Sequence, residues 1–278
     1  MRLSVVYLTY RPGGIGLFGR SLIGQSAGYE LLVIDDYPGR VERGQAQKFL
    51  LDLGLPLAYY GPSKPKSFPD TYQSLFNAMN TALIHATGDW VLFVHDFSWL
   101  TPGMLEEWMD TVAFYGTDPV LVHGIGMMYA SLTNPNPVDD IHSWTNEDKL
   151  VSGEIQLPLK WKWQPSEWEL FYFAASMYYL EQINGFDERA DHAGVLILES
   201  MIEQAKLTGY DLLVNPGLSV NLMDHRVWEP PQTNLLEKKG QWRIPAEVNS
   251  HSGPHIWTDW SANPFNLADM RRCEKAKR

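Results

Sequence analysis

The run Ala86-Thr-Gly-Asp-Trp-Val-Leu-Phe-Val-His-Asp-Phe97 sets an imidazole beside a carboxylate, His95 and Asp96, directly behind an apolar stretch. A helix end turning through Gly88 and continuing into Trp90–Val94 predicts a strand buried on both faces, ending at those two residues. Strand-end carboxylates beside an imidazole are where α/β proteins hold metal ions and phosphorylated ligands. Asp35-Asp36 closes a second apolar run, Glu30–Ile34, in the same way. Gly14-Ile-Gly-Leu-Phe-Gly19 fits G-x-G-x-x-G, a turn whose backbone N–H groups can face a pyrophosphate, with Asp35 and Asp36 near the spacing of a ribose-binding acid. Trp161, Trp163 and Trp168 lie where tryptophans crowd, offering stacking faces for sugar or base rings, or ordinary core packing.

Positioning these groups needs strands that end together. Leu3–Leu8 reads as a first strand, followed by the turn Arg11-Pro-Gly-Gly14 and a weak helix over 15–27. Glu30–Ile34 and Leu57–Tyr60 read as the next strands, with a helix at Gln45–Leu53 between them. Leu75, Met79, Ala82 and Leu83 recur at helical spacing between about Asp70 and Ala86. After Trp90–Val94, Thr101-Pro102 opens a helix carrying Leu105, Trp108 and Val112. Strands alternating with helices predict an α/β fold with a mostly parallel sheet and right-handed crossovers. From Thr133 to Pro165 the pattern dissolves into Asn, Pro, Asp and Trp, which predicts a long loop region. A second ordered block spans Leu170 to Val220, with a helix near 195–208 ended by Gly209. The last fifty residues hold Pro230-Pro231, Pro245, Pro254 and Pro264 and are expected to wrap the core irregularly.

The chain has 278 residues, 45% hydrophobic and 20% charged, enough to bury a large core. A formal net charge of −11 argues against a broad electrostatic grip on nucleic acid, and the basic tail Arg271–Arg278 reads as a solvated end. The single cysteine, Cys273, excludes an internal disulfide framework and a multi-cysteine zinc site. No apolar run approaches the roughly 20 residues of a membrane span. No small-residue cleavage site follows Arg2, so a signal peptide is not expected, and with a single cysteine a reducing cytoplasm is.

Five blocks occur in order: Val5-Val-Tyr-Leu-Thr-Tyr-Arg-Pro12, Leu32-Val-Ile-Asp-Asp36, Asn77-Ala-Met-Asn80, Gly88 through Asp96, and Ile183-Asn-Gly-Phe-Asp-Glu188. Together, over about residues 3–215, they make the chain resemble the family 2 glycosyltransferases of the GT-A fold. The resemblance implies a Rossmann-like, mostly parallel sheet flanked by helices, with a GT-A domain over 1–225 and an irregular C-terminal extension over 226–278. It implies transfer of a sugar from a UDP-sugar, or another nucleoside-diphosphate sugar, to an acceptor hydroxyl with inversion. The acceptor would be a saccharide or other small molecule, or alternatively a hydroxylated nucleobase in DNA, since aromatic stacking can hold a flipped base.

By the same resemblance Thr9, Arg11, Asp35, Asp36, Asn80, His95 and Asp96 bind the donor. Asp96, His225 and His95 hold Mn²⁺ or Mg²⁺ against the diphosphate. The chain departs from the family at two of these blocks: Met79 replaces the arginine usual before Asn80, and Phe97 replaces the third acid of the metal-binding triplet. A catalytic base is also required to take the acceptor's proton. The family's Glu-Asp pair falls at Ile197-Leu198, which leaves Asp191 and Glu199 as the nearest carboxylates. Trp161, Trp163, Trp168 and Ser176 would face the acceptor. Two other readings stand beside this one. Gly14, Gly16 and Gly19 could serve a nucleotide-binding oxidoreductase or methyltransferase. Against that, Thr9–Gly13 separates them from the first strand, and each glycine carried into the helix costs about 1 kcal/mol. Phe97 and the missing Glu-Asp pair also permit a non-catalytic descendant of the GT-A fold.

Overall fold

Four short apolar runs pair in parallel to make the first half of the sheet. These are β1 (Leu3–Thr9), β2 (Tyr29–Asp35), β3 (Leu57–Gly61) and β4 (Trp90–His95), in the order β3-β2-β1-β4. The computed structural model describes residues 1–37, 39–40, 43–67, 75–129, 137–162 (160–162 by backbone only), 172–188, 191, 208–223 and 265–277. Every residue of β1 and of β4 is buried. Their unbroken apolar sequences follow from helices covering both faces. On one face Val5, Tyr7, Leu92 and Val94 pack against α1 (Ile15–Leu22) and α4 (Met104–Tyr115). On the other, Val6, Leu8 and Phe93 pack against Phe76, Met79 and Leu83 of α3 (Leu75–His85). Helix α2 (Arg43–Asp52) crosses from β2 to β3 and buries only Ala46 and Leu50.

The second half of the sheet is mixed. Beyond β4 the order continues through β8 (Tyr172–Ser176), β6 (Val120–Tyr129), β9 (Asp211–Met223) and β5 (Ser98–Trp99). Strand β8 runs antiparallel to both β4 and β6, whereas β6 and β9 are parallel. The stretch expected to be a long loop contains a short helix, α5 (Glu147–Val151), and β7 (Leu159–Lys162), which pairs with β6. The expected irregular C-terminal extension ends in α7 (Leu267–Lys275). This helix docks on α3 through Leu267 and through Arg271, which donates to the Ala86 carbonyl at 2.8 Å. Asn184 fixes its start, donating to the Phe265 carbonyl and accepting from the Leu267 N–H, both at 2.8 Å. Helix α1 ends at Leu22, before Gly24 and Gly28, so the helix predicted over 15–27 is shorter. No helix among the described residues is long and apolar enough to cross a membrane.

At the amino ends of the strands, one buried carboxylate ties three segments together. Glu30 on β2 accepts from Ser4 Oγ on β1 at 2.5 Å, Thr87 Oγ1 at 2.7 Å and the Gly88 N–H at 3.1 Å. Burial by itself would raise this carboxyl, but the bonds from Ser4 and Thr87 hold it below its usual range. Its contribution is therefore present at neutral pH and is lost as pH falls through the carboxylate range. Glu30→Ala should lower unfolding free energy at pH 7 by about 2–4 kcal/mol, the cost of buried donors left unpaired. In urea titrations the gap from the parent should narrow as the pH is lowered.

Candidate functional site

At the carboxyl ends of the strands, Arg11 reaches from the loop after β1 across to Asp96 after β4. Its Nε donates to Asp96 Oδ2 at 2.9 Å and its Nη2 to Oδ1 at 2.5 Å. The pair is almost sealed from solvent, Arg11 being 4% exposed and Asp96 0%. His95 Nδ1 also lies 2.8 Å from Asp96 Oδ1. Burial alone would push the Asp96 carboxyl up, yet the Arg11 guanidinium and His95 hold it well below the usual carboxylate range. The guanidinium carbon lies 4.6 Å from the Tyr10 ring centre and 5.4 Å from that of Phe97. Phe97 thus flanks the cation with an aromatic ring. Its backbone is left-handed (φ 58), and its N–H donates to Tyr7 Oη at 3.1 Å.

The tip of β2 joins the same network. Asp35 is fully buried and accepts from Arg40 Nε at 2.7 Å and from Tyr60 Oη at 2.6 Å. Arg40 Nη2 continues to the Arg11 carbonyl at 3.3 Å, while its buried Nη1 has no hydrogen-bond partner among the described residues. The Asp36 N–H donates to the Thr9 carbonyl at 2.8 Å, and the Asp36 carboxylate accepts from the Ser63 N–H at 2.8 Å and from Ser63 Oγ at 2.5 Å. Strand tips β1, β2 and β4 therefore converge, as the site in the sequence requires.

The loop after β3 carries this network to the start of α3. Lys64 pairs with Glu188 at 2.7 Å, and its carbonyl accepts from Asn77 Nδ2 at 2.9 Å. Asn80 holds the turn that ends at Glu188: its Nδ2 donates to the Phe186 carbonyl at 2.8 Å and to Glu188 Oε1 at 2.9 Å, and its Oδ1 accepts from the Phe186 N–H at 2.8 Å. Asp191 sits at the α3 N-terminus, accepting from the Phe76 N–H at 3.0 Å and the Asn77 N–H at 2.9 Å. Burial pushes its carboxyl up to about 7, against the pull of those two N–H bonds, and the Glu188 charge adds to the rise. A carboxyl tuned there is suited to general-base work at neutral pH. Asn77 Oδ1 is buried nearby without a hydrogen-bond partner among the described residues.

Thr9, Arg11, Asp35, Asp36, Asn80, His95, Asp96 and Asp191 are thus placed around one set of strand tips and one helix start. Ser176 is not. It pairs with Trp90 at the amino end of β4, about 17 Å along the strand from His95, and its hydroxyl caps helix α6 (Met177–Gln182) by accepting from the Tyr179 N–H. Trp163, Trp168, Glu199 and His225 lie outside the described residues, as does the side chain of Trp161. Sequence reasoning missed Arg40, Tyr60, Ser63 and Lys64, which stand in loops or at a strand end with no periodic signal.

The glycine motif serves packing. Gly14 has φ 77, and a Cβ there would lie 2.6 Å from Tyr7 Oη. A Cβ on Gly16 would lie 2.3 Å from His142 Nδ1 and 2.4 Å from Glu147 Oε2. The Gly13 and Gly16 N–H groups donate to the carbonyls of Asp140 at 3.1 Å and Ile141 at 2.8 Å. Of the motif's own glycines, the Gly16 N–H, which would otherwise be open to a pyrophosphate, is thus already used by the 137–147 segment. That segment is locked by His142 Nδ1 against Glu147 Oε2 at 2.8 Å.

A divalent ion needs free carboxylate or imidazole lone pairs. Both Asp96 oxygens face Arg11, Phe97 offers none, and among the described residues no group of three or more His, Cys, Asp or Glu is placed to hold a metal ion. Turning Asp96 onto an ion would strand a buried guanidinium, a change that costs about 3–5 kcal/mol. The described donor set does not fit a metal ion.

No protein-family model matches the chain, and no curated protein matches it. Among solved structures it is similar to S. aureus TarS, with 17% identity and a TM-score of 0.50 over 93% of this chain and 44% of that one. A TarS fragment, 1–349, in complex with UDP aligns at 15% identity and a TM-score of 0.48, covering 81% of this chain and 61% of that one. The chain spans less than two thirds of the length of either structure. The fold is that of the GT-A glycosyltransferases, with helices flanking a mixed sheet whose parallel half carries the site.

Asn80 tests whether the α3 contacts hold the site. Asn80→Ala removes the amide that bonds the Phe186 N–H and carbonyl and Glu188, so unfolding free energy should fall by about 1–3 kcal/mol in urea titration. Hydrogen exchange should quicken first in the 184–188 turn and at the start of α7.

Proposed function

We propose that this chain is a glycosyltransferase that moves a sugar from a nucleoside-diphosphate sugar, of the uridine class, to a hydroxyl of a saccharide or other small acceptor. The single observation that carries this reading is the convergence of the β1, β2 and β4 tips on Arg11, Asp96 and Asp35, with Asp191 at the neighbouring helix start. Ligands of open α/β sheets bind at the carboxyl ends of strands, which supports donor binding there. TarS binds UDP, and its fold supports the same donor class for this chain. Thr9, Asp35 and Asp36 would meet the nucleoside, and Arg11 with His95 would meet the phosphates.

In the inverting step the acceptor oxygen attacks the anomeric carbon as the bond from that carbon to the diphosphate oxygen breaks. The bonding pair leaves on the diphosphate, and the acceptor proton passes to Asp191. Burial of Asp191 and a carboxyl raised to about 7 support its role as base. The net charge of −11 favours a small acceptor over DNA. The tryptophans at 161, 163 and 168 would supply its stacking face, and the lone, exposed Cys273 supports a reducing cytoplasm.

A panel of nucleoside-diphosphate sugars tests the reading by release of free nucleoside diphosphate. Release from a UDP-sugar supports it. If no sugar nucleotide is bound or cleaved, the chain is a non-catalytic GT-A protein. Turnover should rise with pH as Asp191 loses its proton and level off above about pH 7. Asp191→Asn should lower turnover by about 10²–10⁴-fold, flatten that pH profile and leave UDP affinity unchanged.

A further inference from the structure

We infer that this site holds its diphosphate by guanidinium groups and needs no divalent ion, an inference that rests on the transferase reading above. The position where the resemblance expects an acidic triplet is His95-Asp96-Phe97. Two features of that triplet turn together. Its one carboxylate is held by Nε and Nη2 of Arg11, at 2.9 and 2.5 Å, so its charge is already neutralised. Its third member is an aromatic ring 5.4 Å from the same guanidinium carbon, with Tyr10 at 4.6 Å. A carboxylate at position 97 would attract an ion, whereas a ring there stabilises an arginine cation. The aromatic replacement and the arginine pair are two parts of one change.

Arg11 has five N–H donors and gives one from Nε and one from Nη2 to Asp96. The rest of its planar fork remains for phosphate oxygens, which guanidinium matches in geometry. Arg40 adds a second cation beside it. Its Nη2 touches the Arg11 carbonyl at 3.3 Å, and its buried Nη1 has no hydrogen-bond partner among the described residues, a donor that a phosphate oxygen would satisfy. When the sugar–diphosphate bond breaks, the electron pair settles on the diphosphate, and these fixed donors stabilise that charge without reorganising.

Calorimetric titration of the whole chain with UDP, in EDTA and again in millimolar Mn²⁺, tests the inference directly. The expected result is the same UDP affinity in both, within about twofold, and no Mn²⁺ bound by the free protein in electron paramagnetic resonance. Arg11→Lys should weaken UDP by about 10–100-fold and leave uridine unaffected, because the loss falls on phosphate contacts alone. Should that variant fold poorly, Arg11→Met combined with Asp96→Asn removes both charges together and should show the same split between UDP and uridine. If Mn²⁺ tightens UDP more than about tenfold, the inference is wrong while the transferase reading stands. If neither UDP nor any other nucleoside diphosphate binds in either condition, both fall together.

Discussion

The buried ion pair between Arg11 and Asp96 is the constraint on which the site depends. It bridges the loop after β1 to the loop after β4, two strands that are already neighbours in the sheet. A buried pair of this kind is poor evidence of stability, because desolvating both charges offsets much of their attraction. Its consequence is positional. Either partner alone would be an uncompensated charge in an apolar setting, so the two loops can only take arrangements that keep the groups together. Arg40 extends the constraint to β2 by gripping Asp35 and touching the Arg11 carbonyl. Three strand tips are thereby fixed relative to one another by charge.

The same logic governs the helix side of the site. Asp191 accepts two N–H groups from the first turn of α3, which would ordinarily lower a carboxyl, yet burial and the Glu188 charge carry it the other way. A helix N-terminus therefore holds a carboxylate firmly in place while its surroundings keep it basic. Lys64 pairs with Glu188 from the loop after β3, on the other side of the network. That loop links the β2 tip to the turn before Asp191, since Ser63 faces Asp36 and Lys64 faces Glu188.

Much of this was legible in the sequence, for identifiable reasons. Strands β1, β2 and β4 announce themselves because both faces are buried, which forces continuous apolar runs, and Asp35, His95 and Asp96 are marked by standing where those runs stop. The Gly-Phe-Asp-Glu turn is legible because its left-handed positions favour Asn184 and Gly185. What was not legible depends on distant partners. Nothing around Arg40 or Lys64 distinguishes them from surface cations until the fold brings Asp35 and Glu188 against them. Ser176 misled because strand position fixes which end of the sheet a residue occupies, and β8 runs antiparallel to β4. Its hydroxyl therefore sits at the wrong end of the strand. The 133–165 stretch read as loop because α5 is only five residues long and β7 four, too short to set a period.

The glycine motif shows why spacing alone cannot assign a phosphate site. Gly14 and Gly16 satisfy the pattern because the chain needs close approach there, but the approaching groups are Tyr7, His142 and Glu147. A pyrophosphate and a packed segment make the same demand on the sequence, namely no Cβ where something must come near. They differ in where the backbone N–H groups point their bonds, and here carbonyls 140 and 141 take them. Cations for a phosphate stand instead at the strand tips. Arg11 keeps donors that Asp96 does not use, and Arg40 keeps one that no described residue uses. Arginine and aromatic side chains therefore stand at the carboxyl ends of β1, β2 and β4, where the resemblance implies an acidic triplet.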